Sequence, residues 1–286
     1  MAKSRGAISC IIYPVRNIYF DSHAHLTDRA FDADRAEVIS RAQSAGVKYL
    51  TEIACSPDDW ENALALATRY PGEIFCALGI HPQECQFGTA QHLARLESLL
   101  KSPLARAVGE MGLDYARNEH PREAQLELFH ALLETARRAK KPVVLHCRNP
   151  FPGGGEADAY ADAISILKPL GSFSAGKFAG IFHCFSGNME NARAALDMGY
   201  LLGIPGTVTY PKNSLLRDVC KMAGVKNLVV ETDCPYLPPQ SARGKRNDPS
   251  FIPEICAALA ASAGVCVEEA ARATLDNALS VYSSPA

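Results

Sequence analysis

Eight short, continuous apolar runs, separated by segments with helical periodicity, constrain the fold of this chain more than any other feature. None of the runs alternates apolar and polar residues, as a half-exposed antiparallel strand would, whereas strands buried on both faces of a parallel sheet are continuously apolar. The pattern therefore predicts eight buried parallel strands. The runs are Ile18–Phe20, Val47–Ile53, Ile74–Leu78, Ala105–Val108, Val143–Leu145, Ala179–Phe182, Leu201–Ile204 and Leu228–Val230.

The segments between the runs predict helices, and several of these helices end before a glycine, the residue that most often terminates a helix. The alternation of strands and helices over this length predicts a single (β/α)8 TIM barrel over residues 18–286. A doubly wound open sheet is the alternative, but the first strand-to-helix turn lacks the glycine pattern of a dinucleotide site. The predicted helices span residues 32–45, 121–139, 188–198, 212–223, 253–263 and 267–282.

Composition excludes several classes of protein. The chain has 286 residues, of which 48% are hydrophobic and 21% charged, which excludes intrinsic disorder. No run approaches the ~18–20 apolar residues of a membrane span, so we expect no membrane association. A net charge of −2 argues against a protein that coats nucleic acid with a basic surface, but allows an enzyme that binds a few phosphates. The ten cysteines are scattered and form no C-x-x-C pair, which is typical of reduced thiols in a cytoplasmic protein.

Two segments fall outside the pattern of strands and helices. Residues 1–17 contain Lys3, Arg5 and Arg16 and no acid, and we expect an N-terminal tail, with an organelle-import signal as the weaker alternative. Residues 149–155 are rich in proline and glycine and predict a long surface loop after the fifth strand.

Seven ionisable or metal-binding side chains follow the predicted strands. In a TIM barrel the carboxyl ends of the strands form one rim, where catalytic groups converge. A histidine whose hydrogen bonds are satisfied in the core, or a carboxylate in a salt bridge, explains each residue taken alone. Neither explains seven such residues at the ends of six strands. They are His23 and His25 after strand one, His81 after strand three, Glu110 after strand four, His146 after strand five, His183 after strand six and Asp233 after strand eight.

The rim residues predict a metal centre with two divalent ions. His23 and His25 are two residues apart and therefore point to the same face of an extended segment. One catalytic zinc uses three protein ligands, so four imidazoles and two carboxylates favour two ions. We expect Glu110 to bridge the ions and Asp233 to bind metal and accept a proton from water. The predicted ligands are His23, His25, Glu110, His146, His183 and Asp233; Mg²⁺, Zn²⁺ and Mn²⁺ all suit this donor set.

Other rim residues are predicted to contact the substrate. His81 is interpreted as a catalytic donor to a substrate oxyanion, although a histidine satisfied in the core explains it equally well. Arg148 lies two residues beyond His146 and shares its face. Arg243, Arg246 and Asn247 lie in a basic loop after the last strand that suits a phosphate; a solvated loop is the alternative.

The segments that carry these residues resemble the TatD family of metal-dependent deoxyribonucleases. The resemblance extends from residue 20 to about residue 282 and implies a TIM barrel, a divalent-metal hydrolase and action on nucleic acid. It implies metal binding by the same six residues and, more loosely, substrate roles for His81, Arg148 and the 243–247 loop. Residues 149–155 and 171–177 depart from the family pattern. The matching segments are FDSHAHL (20–26), LGIHP (78–82), VGEMGLDY (108–115), VVLHCR (143–148), IFHCFSGN (181–188), ETDCPYLPP (231–239) and RGKRNDP (243–249).

The predicted function is hydrolysis of phosphodiester bonds in DNA, as an exonuclease on single-stranded ends. One alternative is an amide or ester hydrolase that acts on a small metabolite or an aminoacyl ester. Such barrel enzymes often place a carboxylated lysine at the end of strand four, a position that Glu110 occupies here. A binding protein without catalytic activity is the third hypothesis. The sequence leaves strand polarity, the choice between DNA and RNA, and the oligomeric state open.

Overall fold

Strands and helices alternate along the described chain until two consecutive helices end it. The computed structural model describes residues 17–117, 120–153, 155–172, 174 and 176–283, so the predicted tail lies outside the described residues except for Asn17. The strands are β1 (Tyr19–Ala24), β2 (Val47–Ala54), β3 (Ile74–Leu78), β4 (Ala105–Asp114), β5 (Val143–Arg148), β6 (Gly180–Phe182), β7 (Tyr200–Ile204) and β8 (Leu228–Val230). The helices are α1 (Arg35–Ser44), α2 (Trp60–Arg69), α3 (Ala90–Leu99), α4 (Arg122–Ala139), α5 (Ala159–Leu167), α6 (Met189–Asp197), α7 (Ser214–Ala223), α8 (Ile252–Ala263) and α9 (Val267–Tyr282).

The eight strands form one parallel sheet whose spatial order is the same as their order in the chain. The residues after β8 return to β1: the Asp233 N–H donates to the His23 carbonyl over 2.9 Å, and the His25 N–H donates to the Cys234 carbonyl over 2.9 Å. A doubly wound sheet would change direction in the middle of this order. The predicted (β/α)8 barrel is therefore confirmed.

Two apolar layers stabilise the barrel, one between the strands and the surrounding helices and one inside the barrel. The inner layer takes at least one residue from every strand, and α9 packs beneath it. Phe20 of β1 stacks on Phe75 and on Tyr282 of α9, with ring centroids 5.8 and 5.6 Å apart. The Tyr282 hydroxyl donates to the Ser22 carbonyl over 3.0 Å. Helix α9 therefore closes the amino-terminal end of the barrel and leaves the rim at the other end for the site.

The predicted boundaries were wrong where polar residues continue a buried strand. Strands β1, β4 and β5 run to Ala24, Asp114 and Arg148, several residues beyond the apolar runs. Their polar residues are buried because they contact one another inside the rim. Helices α2, α3 and α5 were missed, and α3 shows why, since Leu96 is its only fully buried residue among those described.

Within the described part of the chain, no single helix is long and apolar enough to cross a membrane. The pair formed by Pro249–Ala263 and Val267–Tyr282 meets that criterion of length and composition only when taken together, and it is bent by 107°.

Candidate metal centre

Glu110 lies at the centre of the rim, among imidazoles from three other strands. Its Oε1 atom is 2.6 Å from Nδ1 of His146 and 3.1 Å from Nε2 of His183. Its Oε2 atom is 3.4 Å from Nε2 of His23 and 4.0 Å from Nε2 of His25. The buried carboxylate thus lies within 4.0 Å of each of these four rings, an arrangement that sequence spacing alone does not specify.

His25 directs a ring nitrogen to a point of the site where a cation is favourable. Its Nδ1 atom lies 3.1 Å from the Ile53 carbonyl and donates to it, so in the neutral ring Nε2 carries the lone pair. That Nε2 faces Nε2 of His23 at 3.3 Å and Oδ1 of Asp233 at 3.3 Å. Although burial disfavours a charged ring, the Asp233 carboxylate raises the pKa of His25 well above its ordinary value. A proton or a metal ion at this point is therefore favourable, because it separates the ring lone pair from the carboxylate.

The electrostatics of Glu110 lead to the same conclusion. Burial alone would raise the pKa of its carboxyl, but His183, His146 and His23 hold that pKa well below its ordinary range. The carboxylate is therefore charged, with only 3% of the residue exposed. A buried charge is costly unless it is paired, and a metal ion held by these imidazoles, or the protonated rings themselves, would supply the positive charge.

Two of the groups that the donor atoms form share Glu110. The donor atoms of His23, His25 and Glu110 lie within 4.8 Å of one another, and so do those of Glu110, His146 and His183. Imidazole nitrogen and carboxylate oxygen are common ligands of Zn²⁺ and Mn²⁺. The residues present therefore fit a metal centre, and Asp233 borders the first group through His25.

Local irregularities in two strands accompany this arrangement. The pairing of β1 with β2 shifts register between Asp21 and Ala24, beside His23. The pairing of β4 with β5 shifts between Val108 and Met111, beside Glu110. Irregularities of this kind redirect side chains, and they are frequent near active sites.

A layer of buried acids behind the ligands was missed by the sequence analysis. Asp21 accepts from the backbone N–H groups of Thr232 at 2.9 Å and of His23 at 3.3 Å, which ties β1 to the residue before Asp233. Glu52 accepts from Leu26 N–H at 2.6 Å, and burial raises its pKa to about 7. The available signal was a carboxylate inside or directly beside an apolar run.

Glu231 belongs to the same layer and supports His183. Its Oε1 atom lies 3.2 Å from Nδ1 of His183 and accepts the N–H of Cys184. A carboxylate behind a metal-binding histidine fixes the orientation of the ring and makes it more basic. Glu231 follows the last apolar run directly, which is the signal that could have identified it.

Asp114 organises the neighbouring part of the rim and was also missed. Its Oδ1 atom accepts from Nε of Arg148 at 3.1 Å, and its Oδ2 atom contacts Nη2 of the same residue. Oδ2 also accepts from Nε2 of Gln83 at 2.7 Å and lies 3.3 Å from Nε2 of His146. The predicted phosphate ligand Arg148 is therefore paired within the protein, with a third of its side chain exposed.

His81 is placed to donate a hydrogen bond into the site. Its Nδ1 atom accepts the N–H of Gln83 at 3.1 Å, so the proton of the neutral ring is on Nε2. Nε2 faces Glu110 Oε1 at 3.8 Å. Burial and the neighbouring His146 lower the pKa of His81 to about 3, so the ring is neutral at pH 7. This geometry accommodates the predicted donor role.

The structure brings only Arg243 of the predicted phosphate loop to the rim. Arg246 points away: its Nη1 and Nη2 atoms bind the carboxylate of Asp34 at 2.9 and 2.6 Å, and its guanidinium covers the ring of Phe31 at 4.6 Å. Asn247 is fully buried and donates to the carbonyls of Thr232 at 2.8 Å and Tyr236 at 2.7 Å. Both residues fasten the loop that carries Asp233, because Asn247 binds this loop to itself and Arg246 binds it to the start of α1.

Replacing Asn247 with alanine distinguishes a role in supporting the loop from the predicted role in binding substrate. Its side chain bridges the chain on both sides of Asp233, so we expect a loss of about 1–3 kcal/mol in the free energy of unfolding from the two unsatisfied carbonyls. We also expect a lower kcat, because Asp233 loses its support. The measurements are urea unfolding and steady-state kinetics, with exposed Arg243→Ala as the control for stability. An unchanged stability with a raised KM would instead establish direct contact with substrate.

Several known proteins are similar to this chain over most of its length. Residues 20–283 match the family model described as TatD related DNase. A protein of Erwinia billingiae named 3'-5' ssDNA/RNA exonuclease TatD is 34% identical over 93% of this chain and all of its own length. A Bacillus subtilis protein named uncharacterized metal-dependent hydrolase YabD is 33% identical over 92% of this chain and 98% of its own. The crystal structure of the Escherichia coli TatD homolog YjjV superposes with a TM-score of 0.83 at 29% identity, covering 93% of this chain and 98% of that one.

Proposed function

Because the chain belongs to the family of TatD-related DNases and is a metal-dependent hydrolase, we propose that it removes nucleotides from single-stranded DNA ends through a centre of two divalent ions. The observation that carries this proposal is the carboxylate of Glu110, shared by two groups of imidazole donors. The relative named as a 3'-5' exonuclease supports a 3′ to 5′ direction for this chain as well.

His23, His25 and Asp233 would hold one ion, and His146 and His183 the other, with Glu110 between them. Two such ions, when bound, stabilise the charge on the attacking and leaving oxygens of a phosphodiester. The surrounding acids keep the rings oriented: Glu231 faces Nδ1 of His183, and Asp114 faces Nε2 of His146.

Protein groups supply the proton transfer and the hydrogen bonds of the reaction. Asp233 has an exposed edge, and the imidazoles around it, opposing the effect of burial, lower the pKa of its carboxyl. It is therefore ionised and can accept the proton of the attacking water. The Nε2–H of His81 donates to a non-bridging phosphate oxygen. Arg148, held by Asp114, adds a fixed positive charge at the edge of the site.

The preference for single-stranded ends follows from charge and from the shape of the rim. A net charge of −2 gives the chain little overall attraction for the backbone of long duplex DNA. A phosphate recessed in a barrel mouth is reached most easily by a flexible end whose bases need not be unpaired. The rate should then depend only weakly on salt, with a slope of roughly −0.7 per phosphate neutralised on a single strand.

Hydrolysis of end-labelled oligonucleotides tests this function. Purified protein is incubated with Mg²⁺, Mn²⁺ or Zn²⁺ and with linear single-stranded, blunt duplex and closed circular single-stranded DNA at matched nucleotide concentration. We expect mononucleotide release from the 3′ end of the linear strand, slower action on the duplex and little on the circle. Equal rates on linear and circular strands would contradict exonuclease action. Hydrolysis of a model ester or amide with no hydrolysis of DNA would contradict the nuclease assignment.

A further inference from the structure

Two clefts meet at the metal centre, and both are lined by His146, Arg148, His183 and Asp233. The first, of about 710 Å³, lies between the loops that follow β5, β6, β7 and β8, and Tyr210, Lys212, Leu215 and Arg243 line it. The second, of about 810 Å³, lies over the loops that follow β1 to β4. We call the first the basic cleft and the second the mixed-charge cleft.

The two clefts differ in charge. Outside the metal centre, the described lining of the basic cleft contains no carboxylate. Its Lys212 and Arg243 side chains form no ion pair within the part of the chain that the structure describes. The mixed-charge cleft is lined by Asp28, Asp59 and Glu84, which offset its arginines. A polyanionic strand is therefore attracted to the basic cleft more strongly than to the mixed-charge cleft.

The basic cleft also presents a fixed aromatic ring. The Tyr210 hydroxyl donates to the Pro238 carbonyl over 2.7 Å, and the Arg243 guanidinium lies 5.0 Å from the centre of the ring. Leu215, which also lines this cleft, is 45% exposed although it is a large apolar residue. Proteins bind single strands with this combination, because bases stack on aromatic rings and guanidinium planes while cations neutralise the backbone.

We propose that the basic cleft binds the part of the DNA strand that remains after cleavage, with bases on Tyr210 and Leu215 and phosphates on Lys212 and Arg243. The terminal nucleotide, which is released, then occupies the mixed-charge cleft. This proposal rests on the exonuclease function proposed above and assigns the two sides of the scissile bond to the two clefts.

Single-stranded oligothymidylates with one abasic nucleotide test the assignment. In the wild-type enzyme, an abasic nucleotide at the second or third position from the scissile end is expected to raise KM about tenfold with little change in kcat. An abasic terminal nucleotide is expected to leave KM unchanged. In Tyr210→Ala most of the penalty at the inner positions disappears, because the ring that the base contacts has been removed. Tyr210→Phe keeps the ring and therefore the penalty.

Phe151→Ala is the matched control. Phe151 is an exposed aromatic residue in the loop that follows β5, and it lines neither cleft. It is expected to retain the wild-type KM and the wild-type penalty. If Tyr210→Ala is unstable to heat, Leu215→Ala replaces it, because Leu215 is exposed, and it should reduce the penalty about threefold. An undiminished penalty in the tested variant, or a penalty at the terminal position only, would overturn the proposal.

Binding separates failure of this proposal from failure of the exonuclease function. The affinity of a fluorescent oligothymidylate for the metal-free protein is measured by anisotropy for the wild type, Tyr210→Ala and Phe151→Ala. If the wild type binds but hydrolyses no oligonucleotide, the exonuclease function is contradicted. In that case, a tenfold weaker affinity in Tyr210→Ala alone still supports the assignment of the strand to the basic cleft. If the wild type hydrolyses DNA and Tyr210→Ala binds as tightly as the wild type, the function stands and the cleft assignment is overturned.

Discussion

Glu110→Gln is expected to lower kcat about a thousandfold, because the metal ions contribute several kcal/mol of charge stabilisation and a neutral amide cannot hold them between the two groups of histidines. The substitution keeps the shape of the side chain. The surrounding rings can lose their protons, so the barrel should remain folded. Steady-state kinetics and thermal unfolding, both in metal-loaded and metal-free protein, measure the two effects.

The control for Glu110 is Glu61→Gln, an exposed glutamate of α2 that pairs with Arg95 and is expected to keep the wild-type kcat. A purely structural ion pair at Glu110 predicts the reverse pattern. Breaking a buried pair costs about 3–5 kcal/mol, so Tm would collapse while the activity of each folded molecule stayed normal.

Gly112→Ala is expected to have the largest effect on folding. We expect it to lower the free energy of unfolding by more than about 4 kcal/mol, or to yield no folded protein. Gly112 has φ +142°, and an added Cβ would lie 2.0 Å from the carbonyl oxygen of His146, its partner on β5. The backbone atoms of two paired strands would have to separate beside the metal centre. Expression, circular dichroism and urea unfolding test this expectation.

Gly264→Ala is the matched control for Gly112. Gly264 also has a positive φ, +74°, but it is exposed at the end of α8, and an added Cβ would meet nothing within 4 Å. Gly264→Ala should lower the free energy of unfolding only by the conformational cost of a left-handed alanine, about 1–2 kcal/mol. Equal losses in the two variants would show that close packing of β4 on β5 is not what requires Gly112.

Much of the fold was predictable because continuous apolar runs and helical periodicity are local patterns. The barrel and the family were confirmed. The structure also brings His23, Glu110 and His183 together, because strands in a barrel all end at one rim. The ends of β1, β4 and β5 were not predictable from apolar runs, since their polar residues are buried only through contacts with other strands.

The residues that support the site were harder to predict, because the groups that they bind are distant in the chain. Asn247 looked like a phosphate ligand in a basic loop, yet it is buried against the segment that carries Asp233. Arg246 is paired with Asp34, which precedes it by more than two hundred residues. No local pattern distinguishes a side chain that faces the rim from one that faces the neighbouring helix.

Metal titration of the stripped protein tests the central claim most directly. The protein is treated with a chelator, reloaded with increasing Mn²⁺ or Zn²⁺, and followed by elemental analysis, circular dichroism and release of nucleotides from a single-stranded 3′ end. We expect an unchanged circular dichroism spectrum throughout, no activity without metal, and full activity as two ions bind to each chain. Full nuclease activity in the metal-free protein, or at one ion per chain, would contradict a centre of two ions bridged by Glu110.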